Sequence, residues 1–72
     1  MSPMFYFFQK GRDYLRCEMR ARDDGSYDLL IEEPDTPERV EHFSTSQQAH
    51  RRWEELQKRF TGDGWFGPYG RE

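Results

Sequence analysis

Three arginines lie at spacings that place them on one side of a β-strand. Arg16, Arg20 and Arg22 are two or four residues apart, and side chains two apart along a strand share a face. Arginines on a sheet can hold phosphates while neighbouring aromatic rings stack on bases, as in sheet-based readers of single strands. Arg39, in a later strand, is a candidate fourth member. The row predicts a nucleic-acid-binding module, which is the alternative interpretation of this chain.

The same stretch has a plainer interpretation, in which acidic side chains neutralise the arginines. Glu18 interrupts the row, and Asp28 and Glu32 are expected opposite it as cross-strand partners. The chain carries 11 basic and 14 acidic residues, a net charge of −3. Non-specific affinity for nucleic acid comes mostly from neutralising phosphates. We therefore expect this sheet face to be a solvated surface of ion pairs. Nucleic acid ranks as the second candidate partner, behind a protein.

A glycine-rich segment over 62–72 contains three aromatic residues. Aromatic side chains are enriched at the centres of protein interfaces, and an apolar residue at an outward strand position would add contacts. The candidate partner-binding residues are Leu30, Trp65, Phe66 and Tyr69. They predict a protein partner, either another protein or a second copy of the chain in a homodimer. The alternative is that Trp65 or Phe66 folds back onto the core.

The residues that could support catalysis or metal binding are few and badly spaced. Cys17 is the only cysteine, and its strand position predicts burial, where a thiol behaves as a small hydrophobic group. His42 and His50 have no carboxylate or cysteine at metal-ligand spacing. The glycines follow a helix, whereas a phosphate-binding loop precedes one. We expect no enzyme, no catalytic residue, no cofactor, no metal and no small-molecule substrate.

The elements that position these residues begin with a hairpin. Apolar residues at 15, 17, 19 and 21 alternate with charged residues, which is the pattern of a half-buried strand. A turn at 23–26 supplies a glycine, and the segment 27–33 reads as the return strand. An aromatic run over 4–9 predicts the first strand, and its buried face stays open at this stage. Residues 38–43 predict a short fourth strand with Val40 and either His42 or Phe43 inward, and an extended loop is the alternative for this segment.

One amphipathic helix is predicted over about 45–61. Its apolar residues follow a period of 3.6 and form one stripe: Ala49, Trp53, Leu56 and Phe60. The segment 44–47 has the form of a capping box, and Gly62 is expected to end the helix in the left-handed conformation. The tail over 62–72 holds too many glycine and proline residues for a regular element to be expected there.

These elements predict the fold class α+β, a four-stranded antiparallel meander (ββββα) with one amphipathic C-terminal helix packed on one face. The 72 residues are expected to form a single small domain over 1–72, with the sheet at about 4–43, the helix at about 45–61 and the tail at 62–72. Only 33% of the residues are hydrophobic but 17% are aromatic. This composition predicts a thin, aromatic-rich core. Dimerisation would bury additional surface.

The expected location is the cytoplasm, without membrane association. The apolar run at 4–8 is too short for a secretory signal, and no stretch approaches the roughly 18 apolar residues of a membrane span. A single cysteine also gives no support for an oxidising compartment.

Residues 43–65 resemble the end of a WGR domain. In that family a strand leads into a helix that closes on a Gly-aromatic pair, here Gly64-Trp65, and the domain is associated with nucleic-acid-linked proteins. The Trp-Gly-Arg triplet that defines the family is missing from this chain, so no functional residue is carried across. The sequence thus predicts a small non-enzymatic binding or accessory domain, with protein–protein interaction as its leading role.

Overall fold

The computed structural model describes residues 4–71, within which five strands and one helix are formed. The elements are β1 (Met4–Lys10), β2 (Asp13–Ala21), β3 (Tyr27–Glu32), β4 (Arg39–Phe43), α1 (Ser46–Gly62) and β5 (Phe66–Arg71). The strands form one antiparallel sheet in the order β4-β3-β2-β1-β5. The predicted α+β class, with an antiparallel sheet and one helix, is confirmed. The predicted number of four strands is wrong, because β5 adds a fifth.

The helix α1 crosses one face of the sheet from edge to edge, since it follows β4 at one edge and precedes β5 at the other. Its 17 residues extend about 25 Å at 1.5 Å per residue. Five strands spaced by about 4.8 Å are about 19 Å wide, so the helix is long enough for this crossing. Among the described residues, no helix has the length and apolar character needed to span a membrane.

The helix buries the predicted stripe against the sheet. Ala49, Trp53, Leu56 and Phe60 are all buried. The sheet side of the core contains Phe8, Leu15, Cys17, Met19, Leu29 and Ile31. The ring centroid of Phe8 lies 5.4 Å from that of Phe60 and 6.0 Å from that of Trp53. Edge-to-face ring contacts of this kind make the core aromatic-rich, as the composition predicted.

The start of α1 uses a capping box one residue further along the chain than predicted. The Thr45 hydroxyl accepts a hydrogen bond from the backbone N–H of Gln48 at 3.3 Å. The Gln48 side-chain oxygen in turn accepts from the Ser44 N–H at 3.2 Å. Thr45 is therefore the N-cap, and the Gln48 side chain bonds back to the residue before the cap, where a strict capping box would use the N–H of the cap itself.

The end of α1 also lies slightly beyond the predicted point. Gly62 stays within the helix, and Gly64 takes the positive φ, at 97°. The Trp65 N–H then donates to the Phe60 carbonyl at 3.0 Å, which is the bond of a Schellman-type helix end. This ending directs the chain toward the outer edge of β1.

Strand β5 is the element that sequence reasoning missed, because glycine and proline residues are unfavourable in strands by local propensity. In the structure these residues allow β5 to lie close against β1. A Cβ on Gly70 would collide with the Tyr6 ring, and one on Gly67 would lie 2.9 Å from the Phe8 ring. Pro68 sits at an irregularity of an edge strand, where a missing N–H is tolerated.

Strand β4 faces the opposite way from the prediction for Val40. Val40 is 59% exposed on the face away from the helix, while Glu41 lies on the helix side, opposite the buried Leu29. Phe43 lies on the same side of β4 as Glu41 and packs against the core. An ion pair with the helix adds to this contact, because Arg52 donates to both carboxylate oxygens of Glu41, at 2.8 and 3.1 Å. A polar pair thus closes this edge of the two-layer fold.

Candidate interaction surface

The face of the sheet away from the helix carries a group of aromatic side chains, here called the aromatic patch. It consists of Phe5, Phe7, Tyr14 and Tyr69 on β1, β2 and β5. Strand alternation produces it: Phe8 pairs with Leu15 toward the helix, so the residues next to each of them point the other way. Phe5 and Phe7 are half-buried, whereas Tyr14 is 58% exposed and Tyr69 49% exposed.

The rings of the aromatic patch contact one another across the strands. Phe7 and Tyr69 are directly opposite in the β1–β5 pairing, and their ring centroids are 5.5 Å apart. The centroids of Phe7 and Tyr14 are 6.3 Å apart. Beside this row lies a shallow apolar cavity of about 370 Å³, lined by Phe5, Phe7, Tyr69 and Gly70. The patch therefore offers both raised rings and an open recess.

The predicted arginine row lies on the same face, toward β3, but its arginines bind carboxylates. The ion pairs are Arg16–Glu32 at 2.8 Å, Arg20–Glu18 at 2.9 Å and Arg22–Asp28 at 2.8 Å. The hydrogen bond with Glu18 raises the pKa of the Arg20 guanidinium. Each pair is solvent-exposed on at least one side, so the row forms a solvated charged surface with little excess of one sign.

Asp28 also binds a histidine. Its carboxylate is hydrogen-bonded to His42 Nδ1 at 2.8 Å as well as to Arg22 at 2.8 Å. These bonds, first that with His42, lower the pKa of Asp28. An open depression of about 480 Å³ at the β2–β3 turn is lined by Arg20, Ala21, Arg22, Asp23, Asp24 and Asp28. Its two arginines are the ones already paired with Glu18 and Asp28.

Arg39 does not join the row. It lies opposite Ile31 in the β3–β4 pairing, and because Ile31 is buried against the helix, Arg39 is on the helix side of the sheet. Its guanidinium is 3.8 Å from the Glu33 carboxylate. The structure thus groups Arg16, Arg20 and Arg22 and separates Arg39 from them.

The four candidate partner-binding residues have three different surroundings. Tyr69 belongs to the aromatic patch, and Phe66 is 70% exposed next to it, opposite Gln9. Leu30 is half-buried on the same face, between Glu18 and Val40.

Trp65 lies elsewhere, packed against the core on the helix side. The Lys10 ammonium is 5.5 Å from its ring centroid, and the same ammonium donates to the Asp63 carbonyl at 2.8 Å. Trp65 therefore closes the end of the core, which is the alternative that the sequence left open.

The candidate nucleophile Cys17 is deep in the core, at 1% exposure. Burial raises the pKa of its thiol to about 12, so the thiol stays protonated and unreactive at neutral pH. His42 contacts Asp28, and His50 contacts the Ser46 carbonyl of its own helix. Within residues 4–71 no three potential metal ligands come together.

Sequence reasoning missed Phe5, Phe7 and Tyr14 as surface residues, although one signal could have found them. Gly11 has a positive φ of 61° in the tight turn after Lys10, and Lys10 pairs with Asp13 across it. A two-residue turn fixes the register of a hairpin. Pairing residues backwards from Lys10 and Asp13 places Phe7 opposite Arg16, on the charged face of β2.

No family model, curated protein or solved structure matches this chain. The resemblance of 43–65 to a WGR domain stays a prediction.

Proposed function

We propose that this chain is a small non-enzymatic binding domain that docks another protein on the aromatic patch. The observation that carries the proposal is the exposure of neighbouring aromatic rings on a sheet face that the helix does not cover. Apolar clusters exposed in this way mark interaction sites. Aromatic side chains bury a large area at a small entropic cost and dominate the energetics of protein interfaces.

The partner is expected on the face of the sheet, because both sheet edges are poor templates for an added strand. The outer strand β5 carries Pro68, which has no N–H to donate. The outer strand β4 is only 5 residues long and holds charged Arg39 and Glu41 on one side of the strand. Short edges with charges or proline are features that discourage edge pairing.

Nucleic-acid binding is the second candidate, and one observation favours it. Arg16 and Arg20 share the face with the aromatic patch, and the Arg16 guanidinium lies 5.5 Å from the Phe5 ring centroid. Stacking rings beside arginines are typical of single-strand binders. These arginines are already ion-paired, and the net charge of the chain is −3. Both features favour a protein partner over a polyanion, so nucleic-acid binding ranks second.

We also propose that the domain acts in the cytoplasm, and both this location and the non-enzymatic role draw support from Cys17. Its buried thiol, with a pKa of about 12, is a poor nucleophile. As the only cysteine in the chain, it forms no intrachain disulfide and gains nothing from an oxidising compartment.

The test is site-specific photocrosslinking in the cells from which the chain comes. A photoreactive phenylalanine analogue replaces Tyr69 in the aromatic patch in one variant, and Val40 on the same face in the matched control. The proposal predicts a discrete adduct from position 69 that protease destroys and nuclease leaves intact, and a much weaker one from position 40. Equal protein adducts at both positions, or no adduct at 69, would contradict it. A nuclease-sensitive adduct would instead establish the second candidate.

A further inference from the structure

The rings of Tyr14, Phe7 and Tyr69 form a diagonal row across three adjacent strands. Their successive centroid distances of 6.3 and 5.5 Å limit the row to about 12 Å. A polyproline II helix has three residues per turn and a rise of about 3.1 Å, which gives about 9 Å per turn. One turn of such a helix therefore fits along the row, with its prolyl rings stacked on the exposed faces of the aromatic rings.

The recess beside the row suits a compact apolar ring. It is lined by Phe5, Phe7, Tyr69 and Gly70, has a volume of about 370 Å³ and is open to solvent. Aromatic-lined grooves of this kind are how proline-rich segments are bound, because the ligand is already extended and loses little entropy on binding.

The polar atoms at the row also match such a ligand. Tyr14 and Tyr69 stand 58% and 49% exposed at the two ends of the row, where their hydroxyls are available as donors. A polyproline II backbone has no internal hydrogen bonds, so its carbonyls need donors from outside. Arg16, whose guanidinium lies beside the Phe5 ring, is bound to Glu32, so its charge is already paired and an uncharged ligand is suited to this side of the patch.

We propose that the aromatic patch binds a proline-rich segment of a partner protein in the polyproline II conformation. This inference rests on the proposed function and adds to it the chemical class of the ligand. Tyr14, Phe7 and Tyr69 supply the surface on which the prolyl rings stack, and the recess beside Phe5 receives one ring.

The test is an amide chemical-shift titration of the isotopically labelled full chain with a capped oligoproline peptide of about nine residues, or three turns. The expected shifts cluster on β1, β5 and the start of β2, and they persist when salt is added. Tyr69→Ala is expected to weaken binding at least about tenfold, and Tyr69→Phe, which keeps the ring, by less. Val40→Ala, on the same face outside the patch, is expected to leave the affinity unchanged.

Several outcomes would overturn the inference. They are an unchanged spectrum at the highest peptide concentration, equal shifts from a glycine-serine peptide of the same length, and equal weakening by Val40→Ala. Tyr14→Ala provides a second patch variant, and the dispersion of each variant's spectrum shows whether it is folded. Shifts of the same amides on concentrating the protein alone would assign the patch to a second copy instead.

The inference and the proposed function fail in different ways. If the protein crosslinked from position 69 contains no proline-rich segment and oligoproline does not bind, the ligand class is wrong while the binding function stands. If position 69 yields no protein adduct, the proposed function itself fails.

Discussion

Glu41 and Arg52 form the ion pair that ties the edge strand β4 to the helix. The guanidinium donates two hydrogen bonds to the carboxylate, and both side chains are less than one-third exposed. The hydrogen bond from Arg52 is the main reason that the pKa of Glu41 is lowered in the folded protein. Arg39 and Arg52 near this carboxylate act in the same direction.

This pair predicts a pH-dependent contribution to stability. A carboxylate with a depressed folded-state pKa stabilises the fold above its unfolded pKa, and this stabilisation is lost as the pH falls through the folded pKa. Glu41→Gln is therefore expected to lower the free energy of unfolding by about 0.5–1 kcal/mol at neutral pH. The difference from the parent should shrink as the pH falls from about 5 toward 3.

Urea unfolding across that pH range measures the effect. Glu54→Gln, on the exposed side of the helix, removes a carboxylate of the same type and should change the free energy of unfolding by less than about 0.5 kcal/mol throughout. An equal cost of Glu41→Gln at acid and neutral pH would show that the ion pair is not its cause.

Cys17 predicts a thiol that is unreactive in the native state. Burial at 1% exposure and a pKa of about 12 leave reaction dependent on opening of the fold. Alkylation of the native protein at neutral pH is expected to be at least about a hundredfold slower than in the urea-unfolded chain, given a few kcal/mol of stability. Comparable rates in the two states would contradict the burial of this thiol.

At the scale of elements, the pairing of β5 with β1 depends on two glycines that let the backbones approach. Gly70 lies under the Tyr6 ring, which stacks on Trp53 with a centroid distance of 4.9 Å. Strand β5 therefore reaches the core through Tyr6 and presents Tyr69 on the opposite face. By local propensity, glycine and proline are unfavourable in strands. The close contact between β5 and β1 in the folded protein shows why glycine suits this strand.

Gly70→Ala tests this contact. The added methyl group would overlap the Tyr6 ring and press on the Phe5 carbonyl, so the free energy of unfolding should fall by about 1–3 kcal/mol, as for other overpacked sites. For a domain of this size, the melting midpoint should fall by roughly 4–8 °C per kcal/mol.

Gly62→Ala is the matched control for that substitution. Gly62 lies in α1, and a Cβ there meets open space. Because alanine is the better helix former, Gly62→Ala should stabilise the protein by about 0.5–1 kcal/mol. If both variants shifted the melting midpoint in the same direction, close packing of β5 against Tyr6 would be wrong.

At the scale of the whole molecule, the sequence predicts the helix, the hairpin and the covered face because strong periodicities define them. The stripe from Ala49 to Phe60 and the alternation around Cys17 state clearly which sides are buried. The orientation of Val40 differs from the prediction because the other face of β4 makes long-range contacts, in which Phe43 packs against the core and Glu41 pairs with the helix.

The candidate surface was only partly predictable. Tyr69 and Phe66 are exposed, and of the two residues that the sequence left as candidates for the core, Trp65 or Phe66, it is Trp65 that packs there. Phe5, Phe7 and Tyr14 were missed because an all-aromatic run has no alternation of its own to mark its faces. Their orientation is set by pairing with β2, so the surface exists only once the strands are assembled.

We propose that the partner binds the aromatic patch and not the arginine row. The amide spectrum of the labelled chain distinguishes the two surfaces when it is recorded in a concentrated extract of the source cells, before and after nuclease or protease treatment of the extract. Binding at the patch is expected to give signal broadening centred on Phe7 and Tyr69 that protease treatment removes and nuclease treatment leaves unchanged. Broadening centred on Arg16, Arg20 and Arg22 that nuclease removes, or a patch that does not respond, would contradict it.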